Sequence, residues 1–259
     1  IYFASLLCLA AARPKAEIPE QRPVATFDID PLIIGGSNAQ ITTHPHQVSL
    51  YFTSGSHTCG ASILSTTKLC CAAHCTQSSA GSYSIRAGSN DRTSGGQTRS
   101  VSSITNHPNY SGSAPGFPND VSTVRIGTAL VFGSGVGAIS MASSGDFTGQ
   151  TATITGWGRT SSSNILPTML QGVSLPIISN TECTSRMSGV GGATINAGHI
   201  CVYSGSTGAC NGDSGGPMRV GSALTGITSW VVSSGGACLT SYPSVYTRVT
   251  YFNSWIGSN

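Results

Sequence analysis

Gly212-Asp213-Ser214-Gly215-Gly216-Pro217 sets a serine among glycines, where backbone N–H groups can come close to a reacting carbonyl. A serine hydroxyl is a weak nucleophile at neutral pH. It needs a base within hydrogen-bond reach and a third group that fixes the tautomer of that base. The chain must therefore supply one histidine and one acid.

Chain order separates the known ways of assembling such a trio. Gly212-Asp213-Ser214-Gly215-Gly216 fits the G-x-S-x-G elbow of α/β-hydrolases, but their histidine follows the serine, and no histidine follows Ser214. The subtilisin order needs an aspartate ahead of the histidine, and the only ones before His74 are Asp28 and Asp30, in a segment expected to be removed. His, then Asp, then Ser remains. Of the six histidines, His74 follows the apolar run Leu69-Cys70-Cys71-Ala72-Ala73 and precedes Cys75, which suggests a buried strand ending at a rigidly held imidazole. His107 lies in a turn composition, and His44, His46 and His57 surround an expected surface hairpin. From Ile33 onward the acids are Asp91, Asp120, Asp146, Glu182 and Asp213. Asp91 and Asp146 sit among turn residues and Glu182 in a polar stretch, whereas Asp120 opens the β-branched, strand-like Asp120-Val121-Ser122-Thr123-Val124-Arg125-Ile126. Asp213, adjacent to Ser214, points elsewhere if the serine faces a cleft, and needs its own partner.

In this order the residues resemble the chymotrypsin (trypsin-like) family of serine endopeptidases, over Ile33 to Asn259. The resemblance is carried by Ile33-Ile34-Gly35-Gly36, His46-Gln47-Val48-Ser49-Leu50, Ala72-Ala73-His74-Cys75, Asn119-Asp120-Val121, Gly156-Trp157-Gly158, Gly212 to Pro217, Ser229-Trp230 and Val245-Tyr246-Thr247-Arg248-Val249. It implies that Ser214 attacks a peptide carbonyl, His74 takes and returns the proton, Asp120 orients the imidazole, and the N–H groups of Gly212 and Ser214 form the oxyanion hole. Ser229 and Trp230 would pair with an extended substrate as an added strand. The resemblance pairs Cys59 with Cys75, Cys183 with Cys201 and Cys210 with Cys238. It leaves Cys70 and Cys71, which read as two small buried thiols rather than as nucleophiles. It also implies a zymogen: cleavage between Leu32 and Ile33 frees an ammonium that pairs with Asp213.

The primary pocket, by the same resemblance, has Gly208 at its floor and Val231 and Ser244 as walls. No acid stands at the floor to select Arg or Lys, and Val231 narrows the opening as in elastases, so small to medium apolar residues before the scissile bond are expected. The loop Val231 to Ala237 is longer than in the vertebrate enzymes of that family, and Trp230-Val231-Val232-Ser233-Ser234 and the stretch Tyr242 to Tyr246 look most like annelid digestive proteases with fibrinolytic activity. Protein and peptide substrates and proteinaceous inhibitors are the implied partners. The alternative is a non-catalytic secreted binding protein on the same fold, but such relatives typically lose a member of the trio, and none is lost here.

The elements that must position these groups are short strands punctuated by Gly and Ser: Gln47 to Phe52, Ala61 to Leu64, Val101 to Thr105, Val121 to Ile126, Thr151 to Gly156 and Leu224 to Trp230. Their spacing predicts an all-β barrel protein, and Val249, Phe252 and Ile256 recur at helical spacing near the end. The resembling fold is two six-stranded antiparallel β-barrels with the active site between them and a short C-terminal helix. The expected division is an N-terminal barrel over 33–140 and a C-terminal barrel over 141–259.

Ile1 to Ala12 reads as the apolar core and small-residue end of a signal peptide, and 13–32 as a Pro-containing, charged propeptide. Nine cysteines suit a secreted, extracellular protein. Only 8% of residues are charged and the net charge is +3, without a basic stripe, which argues against nucleic acid as a partner. No apolar run reaches the roughly 20 residues of a membrane span. A monomer is expected. No cofactor or metal is expected either: there is no H-E-x-x-H or Cys-x-x-Cys set, and Ser89 to Gln97 lacks paired glutamates. Asn109-Tyr110-Ser111 is a glycosylation sequon.

Overall fold

The structure is a computed structural model that describes residues 34–159 and 166–259 and, by backbone alone, Val24–Thr26. The expected signal segment 1–12, the rest of the leader apart from Val24–Thr26, and Ile33 lie outside the described residues. Six strands build the first barrel: β1 Gln47–Phe52, β2 His57–Ile63, β3 Lys68–Cys71, β4 Tyr83–Ala87, β5 Gln97–Asn106 and β6 Ser122–Ile126. Neighbours run β1-β2-β3-β6-β5-β4, and β4 closes on β1. Side chains alternate as a pleated strand requires: in β4, Tyr83, Ile85 and Ala87 point inward, Ser84 and Arg86 outward.

A second set follows: β7 Thr151–Gly156, β8 Gln171–Ile178, β9 His199–Val202, β10 Pro217–Val220, β11 Ala223–Ser234 and β12 Ser244–Arg248. Its pairs run β7-β8-β9-β12-β11-β10 and close from β10 to β7, all antiparallel. Rank for rank, this is the connectivity of the first barrel. The fold is thus two six-stranded antiparallel barrels with the same winding, which matches the expected class.

Each barrel borrows a terminal segment. Ser37–Asn38 pairs with β8 of the second barrel. Helix α1 spans Asn180–Arg186; at the other end of the chain helix α2 (Val249–Ser258) lays Val249, Phe252 and Ile256 into the core that the first barrel shares with Leu224 and Ile227 of β11. Lys68, on β3, donates to the carbonyls of Ile256 and Gly257, so a cation closes the helix's C-terminal end.

The structure corrects three expectations. The strand before His74 stops at Cys71, and His74 lies on a 3-10 turn, Ala73–Thr76. His44 and His46 are buried rather than on a surface hairpin, and His57 is partly buried within β2. The helix α1 was not anticipated, although Ser179-x-x-Glu182 is a capping-box signature; Ser179 Oγ accepts the Glu182 N–H.

Candidate active site

Asp120 is the fixed point of the site. Asn119, just before it, has φ +63°, a left-handed conformation that Asn tolerates, and its side chain donates to the Asn109 carbonyl. The turn drives Asp120 inward ahead of β6, where it is 1% exposed. Its carboxylate then accepts the His74 backbone N–H (2.9 Å), faces His74 Nδ1 (2.7 Å) and accepts the Ser229 hydroxyl (2.6 Å). Thr247 donates to its backbone carbonyl at 2.7 Å. A buried carboxylate is costly unless hydrogen-bonded, and here donors from both barrels satisfy it.

Ser214 approaches from the second barrel. Its carbonyl accepts the Gly60 N–H of β2 (2.8 Å), while Gly215 donates to Thr228 of β11 (2.8 Å), so the loop is stitched to both barrels. A Cβ on Gly215 would overlap the Cys71 sulfur and the Gly60 carbonyl, and φ is +73° there. Glycine is required for this contact. The Cys59–Cys75 disulfide stands beside it and ties β2 to the His74 turn. Cys183–Cys201 and Cys210–Cys238 form as well.

Gly212 has φ +85°. Its carbonyl meets His57 Nε2 at 3.2 Å, and His57 Nδ1 lies 2.8 Å from Ser49 Oγ. Burial pushes His57 down to about 4, Arg92 adds to that and the Gly212 contact opposes it. The ring is therefore a neutral brace on the loop. Among the described residues the N–H groups of Asp213, Gly215 and Gly216 donate to carbonyls, whereas those of Gly212 and Ser214 do not. Asp213 is fully buried and accepts from Gly158 N (3.0 Å) and Cys210 N (3.3 Å). Burial pushes its carboxyl well above the usual range, against those hydrogen bonds. A Cβ on Gly156 or Gly158 would overlap this carboxylate, which accounts for the Gly-Trp-Gly sequence. Ile34, next to Ile33, exchanges backbone hydrogen bonds with Gly208.

Gly208, Val231 and Ser244 are all buried. A Cβ on Gly208 would lie 2.9 Å from Ser244 Oγ, which itself accepts the Ala209 N–H. Cys70 and Cys71 are buried free thiols, Cys70 pushed up to about 12 and Cys71 well above its usual value, in both cases chiefly by burial. Cys59, Cys75 and His74 cluster within metal-ligand range, but both sulfurs are already bonded in the disulfide. The Asp91 carboxylate accepts from the Thr93 N–H and hydroxyl and from the Ser94 hydroxyl, and Asn109 is exposed.

Sequence reasoning missed the grip of Ser229 and Thr247 on Asp120, the His57 brace, and Phe117. Phe117 sits at φ +49° three residues before Asp120, with its ring edge-on to Trp230 at 6.2 Å. These are contacts between distant segments with no local signature.

The sequence model of the family described as Trypsin matches residues 33–256. The chain belongs to the trypsin family. It is a serine endopeptidase on that footing. It is 45% identical over 240 residues to the fibrinolytic enzyme isozyme C of Lumbricus rubellus, covering 88% of this chain and 99% of the relative. A chymotrypsin-like serine proteinase of Haliotis rufescens is 41% identical over 258 residues, with 97% and 96% covered. Among solved structures, mouse neuropsin, a serine protease, superposes with a TM-score of 0.78 at 29% identity over 87% of this chain and 99% of its own. No helix among the described residues is long and apolar enough to cross a membrane.

Proposed function

We propose that this protein is a secreted zymogen whose mature form cleaves peptide bonds after small to medium apolar residues through a Ser214 acyl-enzyme. Ser214 attacks the carbonyl, and His74 accepts the proton and returns it to the leaving amine. Asp120 holds the imidazole by its Nδ1 side, and the developing oxyanion is received by the N–H groups of Gly212 and Ser214. The observation that carries this reading is Asp120 holding both the backbone and the ring of His74 from a buried position, beside a loop whose Gly212 and Ser214 N–H groups donate to no backbone carbonyl among the described residues. Gly208, Val231 and Ser244 would receive the side chain before the scissile bond, and Ser229 and Trp230 its backbone. The absence of an acid at Gly208 supports apolar over basic preference. Three disulfides support secretion, and the 45% likeness to an annelid fibrinolytic enzyme supports a digestive or fibrinolytic role.

Activation would follow cleavage at Leu32–Ile33. The Ile34 anchor on Gly208 supports delivery of a new Ile33 ammonium to Asp213, where a cation would relieve a buried carboxylate whose donors among the described residues are the backbone N–H groups of Gly158 and Cys210. The test is to label cleaved protein with a serine-directed fluorophosphonate and profile it on a peptide library. Labelling at Ser214 and hydrolysis after Ala, Val or Leu is the expected result; labelling absent, or cleavage only after Arg and Lys, overturns it.

A further inference from the structure

Strand β11 outruns both of its barrel neighbours. Its last pair with β10 is Ile227 and its last with β12 is Trp230. Beyond that point Ala237–Cys238 takes one edge, with Ser233 opposite Cys238. The other edge, continuing from Ser229 and Trp230, would be an open row of backbone donors and acceptors, the kind of edge that accepts an added strand. In this chain it is filled by Val24–Thr26. The pairing is antiparallel, with Val24 opposite Ser233, Ala25 opposite Val232 and Thr26 opposite Val231.

The direction of this strand is informative. As the leader proceeds toward its C-terminal end it moves from Ser233 toward Val231, that is, toward Trp230, Ser229 and the Ser214 loop. An acyl donor must run the same way for its scissile carbonyl to reach Ser214. The leader is also fastened on the other side of residues 27–33, where Ile34 exchanges hydrogen bonds with Gly208. Two places beyond Thr26 the sequence has Asp28. An ionised carboxylate matches neither a glycine floor nor an apolar wall. Val24–Thr26 in this register runs along the edge in the direction of an acyl donor.

We propose that Val24–Thr26 is a substrate-mimicking strand, and that the leader is a competitive inhibitor of the protease it precedes, in cis before cleavage and in trans after it. The proposal rests on the reading of the β11 edge as the acyl-donor subsite. A short tether supplies an effective concentration on the order of millimolar, so a strand of weak intrinsic affinity fills the edge in the uncleaved chain. Cutting Leu32–Ile33 removes the tether. The three disulfides among the described residues all lie beyond Ile33, and Cys8 belongs to the expected signal peptide.

The experiment uses protein cleaved at Leu32–Ile33 and separated from its leader, with a synthetic peptide of residues 20–32. Binding is read by fluorescence anisotropy on the Ser214→Ala protein, and inhibition on the active enzyme with a small chromogenic substrate. The expected result is a raised KM with unchanged kcat, an intact peptide by mass spectrometry, and affinity about tenfold weaker for a peptide carrying Ala25→Pro and Thr26→Pro, since one ladder N–H is worth roughly that factor. No binding up to about 1 mM, the concentration a short tether provides, overturns the proposal. Equal affinity of the proline peptide, or rapid cleavage of the peptide after Asp28, overturns it as well. Were the enzyme to hydrolyse nothing, the serine-protease reading would fall, and the anisotropy arm would still decide whether the leader pairs with the β11 edge.

Discussion

At Asp120 every carboxylate contact has a direction. Two reach His74 and one reaches Ser229, so replacing one oxygen by an amide leaves the position filled but reverses a donor–acceptor pair. Asp120→Asn should fold normally and lower kcat by about 10⁴, while Ser214→Ala should lose on the order of 10⁶, the magnitudes that triads of this type show. Burst titration and steady-state kinetics on the cleaved variants check both; Ser214→Ala retaining more than about a hundredth of wild-type kcat would remove the serine from its role. The two spare thiols behave oppositely to a nucleophile. Cys71 is wedged between Gly60 and Gly215, and burial keeps both protonated. A disulfide-exchange reagent at pH 8 should therefore titrate neither Cys70 nor Cys71 in the native protein and both after unfolding, and fast native labelling would contradict their burial.

Elements explain which parts of this were legible. His74 could be found because an apolar run and a cysteine flank it, and Asp120 because the other acids sit in turn-like sequence. The strand limits were legible where side chains alternate, as in β1 and β7, and blurred where a strand is buried throughout, as in β11, whose far end reads like a loop of Val, Ser and Gly. Thr43-His44-Pro45-His46 looks like a turn because its composition is polar, and its burial comes from packing between distant segments that no local pattern reports. The C-terminal helix was legible from period alone, yet the sequence does not say which barrel it serves. It packs into the core that the first barrel shares with Leu224 and Ile227 of β11, so its apolar face stabilises residues as far back as Val48 in the chain. Phe252, 5% exposed, fills that contact. Phe252→Ala should cost about 3–5 kcal/mol and lower the denaturation midpoint, read by urea titration of the uncleaved chain. A loss under about 1 kcal/mol would mean that the helix is dispensable to the first barrel.

Across the whole molecule buried groups bind protons in opposing senses. His46 and His199 are buried, and desolvation takes them down to about 3 and about 4, with repulsion from His44 and Arg219 adding to the first and Asp120 partly opposing the second. Unfolded imidazoles titrate near about 6.5. Between those values the unfolded chain binds more protons, so this stability is complete above about 6.5 and is lost as pH falls toward 4 and 3. Each such proton changes stability by about 1.4 kcal/mol per pH unit in that window. Asp213 acts in the other direction. Its folded value lies above the unfolded one, so its contribution is complete below about 4 and declines as pH rises. In the uncleaved chain these two imidazoles, together with His57, outweigh the Asp213 carboxyl below about 6.5, so stability rises with pH there, and the carboxyl opposes that rise from about 4 upward. After cleavage an Ile33 ammonium beside Asp213 would pull the carboxyl back into the ionised range and remove that opposition. Urea midpoints from pH 4 to 8 should therefore rise more steeply for cleaved than for uncleaved Ser214→Ala protein, the gap widening with pH from about 4 upward, with the cleaved form the more stable. Parallel curves to pH 8 would show that the new terminus does not reach Asp213, and an acid limb unaltered in a His46→Gln, His199→Asn double variant would show that these two rings do not set it.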